Sequence, residues 1–282
     1  MGRTGGKGPL GPVTYDGPDL WRAEDLPSGR ATLRIRRDGN VAHVDAWGPG
    51  LAEAMEKVPG LLGALDDPAR LVPADPVVAR WVKRFPHARM TRTGTIWEHL
   101  LPTISGQKVP GPNAKAGWQG MLRRWGRRPE GPAPADLMLP PDPDVIAGLG
   151  YAEFHRLDIE RKRAEIIIEV GRRHRRLEEA ATMEGPAART RLEAIRGIGP
   201  WTSSIVTQLA LGDPDSVIVG DYWIPSYVSW HLAGERRASD ERMLELLEPY
   251  RGQRARVQSF AKGAGAPPRR GPRLALVDIQ GR

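Results

Sequence analysis

Between Leu192 and Tyr222 the chain gathers residue types able to grip a phosphate and to present a reactive charge. Gly197-Ile198-Gly199 joins two apolar helical stretches, one carrying Leu192 and Ile195, the other running from Ile205 to Leu211. Two glycines flanking one apolar residue let the backbone bend sharply without Cβ clashes. The bend opens N–H groups at the start of the second helix, where a phosphate can bind. A Gly-Asp-Pro-Asp break follows, then Val217-Ile218-Val219-Gly220 and Asp221. A carboxylate at such an apolar edge interacts strongly with positive charge that develops nearby. It also precedes a predicted helix from Tyr222 onward, where an aspartate caps the first turn. Trp201, Tyr222 and Trp223 stand beside the turn and the acid. Electron-rich rings hold flat cations by stacking and cation–π attraction, although Trp223 and Trp230 are read here as core.

The elements that must position these residues read as mostly α with a small α+β part. A chain of 282 residues is long enough for two compact units. Its net charge of +8 suits a polyanionic partner such as nucleic acid. With no cysteine, disulfides and thiolate-held metal clusters are excluded. No run approaches the roughly 18 apolar residues that a membrane helix needs, and the Gly-rich start lacks the apolar core of a signal peptide. No membrane partner is expected, and the expected location is cytoplasmic and nucleoid-associated.

Residues 1 to about 14 are expected to be disordered. Arg30 to Arg37 alternates apolar and basic residues, Asp38-Gly39 signals a hairpin turn, and Val41 to Trp47 alternates again. A helix follows from Leu51 to Leu65 with a break at Pro59-Gly60, completing a small antiparallel sheet unit over residues 15–72. Arg34, Arg36 and Arg37 are candidates to touch DNA, although one face of a half-buried strand is normally charged. A helical domain is expected over residues 73–262. Val77, Val78, Trp81 and Val82 share a helical face that stops at Pro86, and Ile96 to Ser105 forms the next helix. Residues 128–144 are proline-rich and must be a loop. One helix opens near Tyr151, and another spans Glu160 to about Glu179 with Ala164, Ile167, Ile168 and Gly171 inward. The cluster Arg172 to Arg176 could grip a phosphate backbone, or equally be a solvated helix end whose charge complements the dipole. Asp240 to Leu247 is helical, and residues 263–282 are expected to be a flexible tail with a short strand at Leu274–Ile279.

The pattern Leu192, Ile195, Gly197-Ile198-Gly199, Thr202 and Asp221-Tyr222 resembles the helix-hairpin-helix DNA glycosylases, within them the 3-methyladenine DNA glycosylase II branch. Phe85-Pro86-His87, Arg92-Thr93-Gly94 and Ser105-Gly106-Gln107-Lys108-Val109 match further segments of that family, and the resemblance covers roughly residues 75 to 262. It implies an all-helical glycosylase domain with Asp221 as the catalytic acid and a base pocket holding Trp201 and Tyr222. It implies DNA contacts by Gly197, Gly199, Thr202, Gln107 and Lys108. Lys108 stands where relatives insert a residue into the gap left by the flipped base, and an apolar or Gln side chain is commoner there. The carbonyls of Glu193, Ile195 and Ile198 occupy the positions that hold a monovalent or similar cation in the family. No cofactor is expected to be required, and a four-cysteine iron–sulfur cluster cannot form.

The implied activity is monofunctional excision of alkylated purines from duplex DNA, in base excision repair, by a monomer. Relatives that also cut the backbone carry a lysine where this chain has Trp201, and that lysine forms a Schiff base with the sugar. Two rivals stay open at this level. The same fold could act on oxidised or deaminated bases, or the chain could be a non-catalytic module that binds DNA lesions.

Overall fold

A computed structural model describes residues 11–268 of the chain. The expected disorder of residues 1–10 and the strand at 274–279 lie outside the described residues. The chain folds into two compact units. Among the described residues, one holds 11–58 and 104–174; the other holds 59–103 and 175–268. This division does not follow the expected boundary at residues 72 and 73, because the sheet shares its unit with residues 104–174.

The first unit opens with an antiparallel meander of β1 (Val13–Asp16), β2 (Asp19–Leu26), β3 (Gly29–Asp38) and β4 (Val41–Trp47), in that spatial order. The β3–β4 hairpin closes through Gly39-Asn40, with Asp38 opposite Val41 and Gly39 at φ 55°. β1 and β2 were not anticipated: Val13 is already paired with Arg22, so the order of the chain begins before residue 15. β2 gives no alternating signal because both faces are buried, Arg22 and Glu24 pairing on one side while Lys57 reaches the same Glu24 at 2.8 Å. On the other side Trp21 and Ala23 pack with Leu137 and Leu139, and Trp21 stacks on Trp47 at 5.7 Å. The proline-rich stretch is a loop, as expected, but it is a packed one. Leu137 and Leu139 fill the core beneath the sheet, Thr32 donates to the Glu130 carbonyl at 2.6 Å, and Gly131 lies against Trp47 where a Cβ would collide.

Helix α1 (Leu51–Leu61) continues through Pro59 instead of breaking there. Helices α2 (Pro76–Arg84) and α3 (Trp97–Ser105) follow. Asp75 starts α2 by accepting the N–H groups of Val77 and Val78 at 2.7 and 3.1 Å, and Val78 and Trp81 are buried while Val82 is exposed. Helix α4 (Gly111–Trp125) carries Gly117 and Gly120, which lie against Ile159 and Leu157. Then come α5 (Pro143–Ala147), α6 (Tyr151–His155), α7 (Arg161–Arg172) and α8 (His174–Glu178). The inward face of α7 is the expected one, with Ala164, Ile167, Ile168 and Gly171 buried. The single helix expected over 160–179 is two, because the backbone leaves helical geometry at Arg173. There Arg173 pairs with Glu169 and a His174 ring nitrogen meets the Gly171 carbonyl at 3.0 Å. Those residues finish a helix.

The second unit ends with α9 (Gly185–Glu193), α10 (Pro200–Leu211), α11 (Ile224–Ala233), α12 (Asp240–Leu247) and α13 (Arg254–Ala264). The core of this unit gathers Val78, Trp81, Ile218, Val228, Met243 and Val257. Among the described residues no helix is long and apolar enough to cross a membrane.

Candidate active site

The hairpin is the stretch from α9 to α10. Leu192, Ile195 and Ile198 are buried, so three apolar anchors hold the turn while Arg196, Gly197 and Pro200 stay exposed. Gly197 has φ 97°, a left-handed conformation that L side chains rarely adopt. Ile198 N–H donates to the Ile195 carbonyl at 3.0 Å, which closes the turn. Gly199 is the first-turn cap of α10, and a Cβ there would meet nothing, so the approach to the helix start is open. Across the hairpin Ser203 Oγ donates to Glu193 Oε1 at 2.5 Å. Thr202 corrects an expectation. It is 1 % exposed, since the turn directs it into the protein, and it presents no surface to a DNA backbone.

The segment leading from α10 to Asp221 belongs to no helix or sheet, so its polar groups need other partners. Arg254 pairs with Asp215 at 2.5 Å, and the Gly252 and Arg254 N–H groups donate to the same carboxylate. Burial pushes the Asp215 carboxyl up, but the Arg254 hydrogen bonds and charge outweigh it and hold the group below its ordinary value. Ser216 is fully buried and meets Thr207 Oγ1 of α10 at 2.7 Å. Gln258 of α13 takes both backbone groups of Ile218, accepting its N–H and donating to its carbonyl, each at 3.0 Å.

This path delivers Asp221 to the start of α11. Its Oδ1 accepts the N–H groups of Trp223 and Ile224 at 2.8 and 3.0 Å, the helix-capping role. Its Oδ2 accepts the indole N–H of Trp201 at 3.1 Å. The expected acid and the expected pocket tryptophan therefore meet, one from the hairpin and one from the segment beyond it. Tyr222 is 74 % exposed and Trp223 is 54 % exposed, with ring centroids 4.7 Å apart and edges perpendicular. Trp223 is thus no core residue: the Asp221 cap turns positions 222 and 223 outward before α11 begins.

In the sheet-bearing unit, the turn after α3 carries Gln107 and Lys108. Buried Arg163 donates to the Ser105 carbonyl at 2.9 Å and fixes the end of α3. Lys108 is exposed and has φ 56°, a conformation costly for a residue with a Cβ. The strand arginines are committed elsewhere: Arg34 to Asp19 at 2.7 Å, Arg36 to Asp45 at 3.1 Å, and Arg37 to the Gly39 carbonyl at 2.8 Å.

No family model matches the chain. The Bacillus subtilis protein YfjP, provisionally named a DNA-3-methyladenine glycosylase, is 29 % identical over 117 residues, which is 39 % of this chain and 41 % of that relative. Among solved structures, a 3-methyladenine DNA glycosylase from Archaeoglobus fulgidus superposes with a TM-score of 0.72 at 20 % identity, over 89 % of this chain and 88 % of that one. The chain has the fold of a DNA glycosylase. A Clostridium acetobutylicum 8-oxoguanine glycosylase/lyase bound to duplex DNA shares that fold, with a TM-score of 0.66 and 13 % identity over 88 % of this chain and 95 % of its own. So does Schizosaccharomyces pombe Mag1, a 3-methyladenine DNA glycosylase in complex with abasic DNA, at 0.55 and 16 % over 76 % of this chain and all of its own.

Sequence reasoning missed Ser216 and Gln258, polar groups that pin the segment leading to Asp221. A glutamine forty residues downstream of its partner leaves no periodic signal.

Proposed function

We propose that this protein is a monofunctional DNA glycosylase that excises alkylated purines of the 3-methyladenine type from duplex DNA. The observation that carries the reading is the Asp221 carboxylate, held by three N–H donors beside the hairpin turn. A base must leave the stack before its bond to the sugar can be cut. As that bond breaks, its electron pair leaves with the base and positive charge develops on the sugar. A carboxylate fixed in advance stabilises this charge without reorganising. Water then adds to the sugar carbon, and its proton passes to solvent or to Asp221. An alkylated purine already carries positive charge, so it departs as a neutral base and needs little help from an acid.

The pocket reading assigns Trp201 and Tyr222 to the base, and the exposure of Trp223 adds a third ring to that edge. Cationic purines bind such rings by stacking and cation–π attraction. Gly197 and Gly199 are assigned to the phosphate backbone, and Gln107 and Lys108 to the minor groove. The carbonyls of Glu193, Ile195 and Ile198 suit a hard monovalent cation, since the Ile195 oxygen keeps a second lone pair after accepting Ile198. A cation held there would bridge the hairpin to a phosphate. Trp201 has no amine with which to form a Schiff base, so no backbone cleavage accompanies base release. The protein acts as a monomer at the nucleoid, in base excision repair.

The test is base release from duplexes that each hold one of 7-methylguanine, 3-methyladenine, hypoxanthine or 8-oxoguanine. Release of the alkylated bases, with strand breaks only after alkali, is the expected result. Release confined to 8-oxoguanine would favour the oxidised-base reading, for which the likeness to an 8-oxoguanine glycosylase/lyase fold is the specific support. Breaks without alkali would overturn the monofunctional assignment.

A further inference from the structure

Asp221 is gripped from the α11 side, but a second contact reaches it from behind. Gly220 N–H donates to Asp240 Oδ2 at 2.7 Å. Gly220 sits at φ 75°, a left-handed conformation that glycine adopts freely, so the chain turns at the peptide entering Asp221. Asp240 is the first residue of α12, where it adds acidic charge to the first turn, yet it is not the side-chain cap of that helix. Ser239 supplies the side-chain cap by accepting the Arg242 N–H at 3.3 Å, and Glu241 adds acidic charge to the first turn. The other oxygen of Asp240, Oδ1, is buried without a hydrogen-bond partner among the described residues. Burying part of a carboxylate unpaired is costly and asks for a reason.

Further contacts tie the loop before Asp240 to both neighbouring helices. Ser229 of α11 donates to the Glu235 carbonyl at 2.9 Å, and Glu235 pairs with Arg242 of α12 at 2.9 Å. The contacts therefore close a ring: Asp221 caps α11, α11 holds the loop, the loop holds α12, and α12 returns through Asp240 to Gly220.

We infer that Asp240 is a positioning residue for Asp221, acting through the Gly220 N–H to fix where the catalytic carboxylate stands. The inference rests on the glycosylase reading of Asp221 and adds a residue that it does not contain. Asp240→Ala removes the acceptor, whereas Asp240→Asn keeps an oxygen that can take the same N–H. Two measurements are made on the full chain: single-turnover release from a duplex holding an alkylated base, and hydrogen exchange over residues 218–224. Misplacing a reacting group by a fraction of an ångström to an ångström slows chemistry by ~10- to 100-fold. Asp240→Ala is expected to show that loss, with faster exchange at 218–224 and unchanged affinity for a duplex holding an abasic analogue. Asp240→Asn is expected to restore both rate and protection. Wild-type rate in Asp240→Ala, or equal loss in both variants, would overturn the proposal. Absence of base release by the wild type would instead sink the glycosylase reading. Exchange alone would then decide the anchor: protection lost in Asp240→Ala and regained in Asp240→Asn supports it, and unchanged protection overturns it.

Discussion

At the scale of single residues, the pair that matters is Trp201 and Asp221. The indole N–H bond makes the tryptophan more than a wall, because it holds the oxygen that the α11 cap does not. Trp201→Phe keeps an aromatic face and deletes the donor. It should slow single-turnover release roughly tenfold, about 1.4 kcal/mol in the barrier, while affinity for DNA with an abasic site is unchanged. A variant that releases base at the wild-type rate would show that the indole bond does not orient the acid. The local geometry of Asp221, Trp201 and Gly197 was legible in the sequence: a cap, a helix start, a left-handed turn. Thr202 and Trp223 were misread for a different reason. Their burial depends on which way a turn points, and residue type alone does not say.

At the scale of elements, the hairpin positions Asp221 only because the irregular segment between α10 and α11 is pinned. Asp215 and Arg254 tie that segment to α13. Because the folded carboxyl of Asp215 titrates below its ordinary value of 3.8, its contribution to stability is fully present above that value. The contribution is lost as pH falls through the lowered value. Asp215→Asn should therefore reduce the thermal midpoint at pH 7, and the gap to wild type should narrow below pH 3.8. A gap that stays constant across this range would mean that the ion pair contributes nothing to folding. The helices with one apolar stripe, α2, α3 and α7, were legible from period alone. Helix α4 was not, since it opens on Gly111-Pro112 and uses Gly117 and Gly120 for close packing where a pattern would show apolar residues. β2 was hidden by the buried pairing of Arg22, Glu24 and Lys57.

At the scale of the whole molecule, the sequence pointed to a sheet followed by a helical domain, and the chain interleaves the two. Residues 104–174 join the sheet, and the proline-rich loop supplies Leu137 and Leu139 to its core. Such long-range exchange has no local signature, whereas the hairpin and its acid do. The net charge of +8 accords with a polyanionic partner and says nothing of chemistry. The proposed chemistry rests on one carboxylate. The most direct measurement is single-turnover release of 3-methyladenine from duplex DNA by wild type and Asp221→Asn, alongside the affinity of both for the same duplex. Loss of release with binding retained is the predicted result, because the substitution removes charge while the amide oxygen can still cap α11. Equal release by both proteins, or lesion-dependent binding by both with no release by either, would contradict the assignment of Asp221 as the catalytic acid.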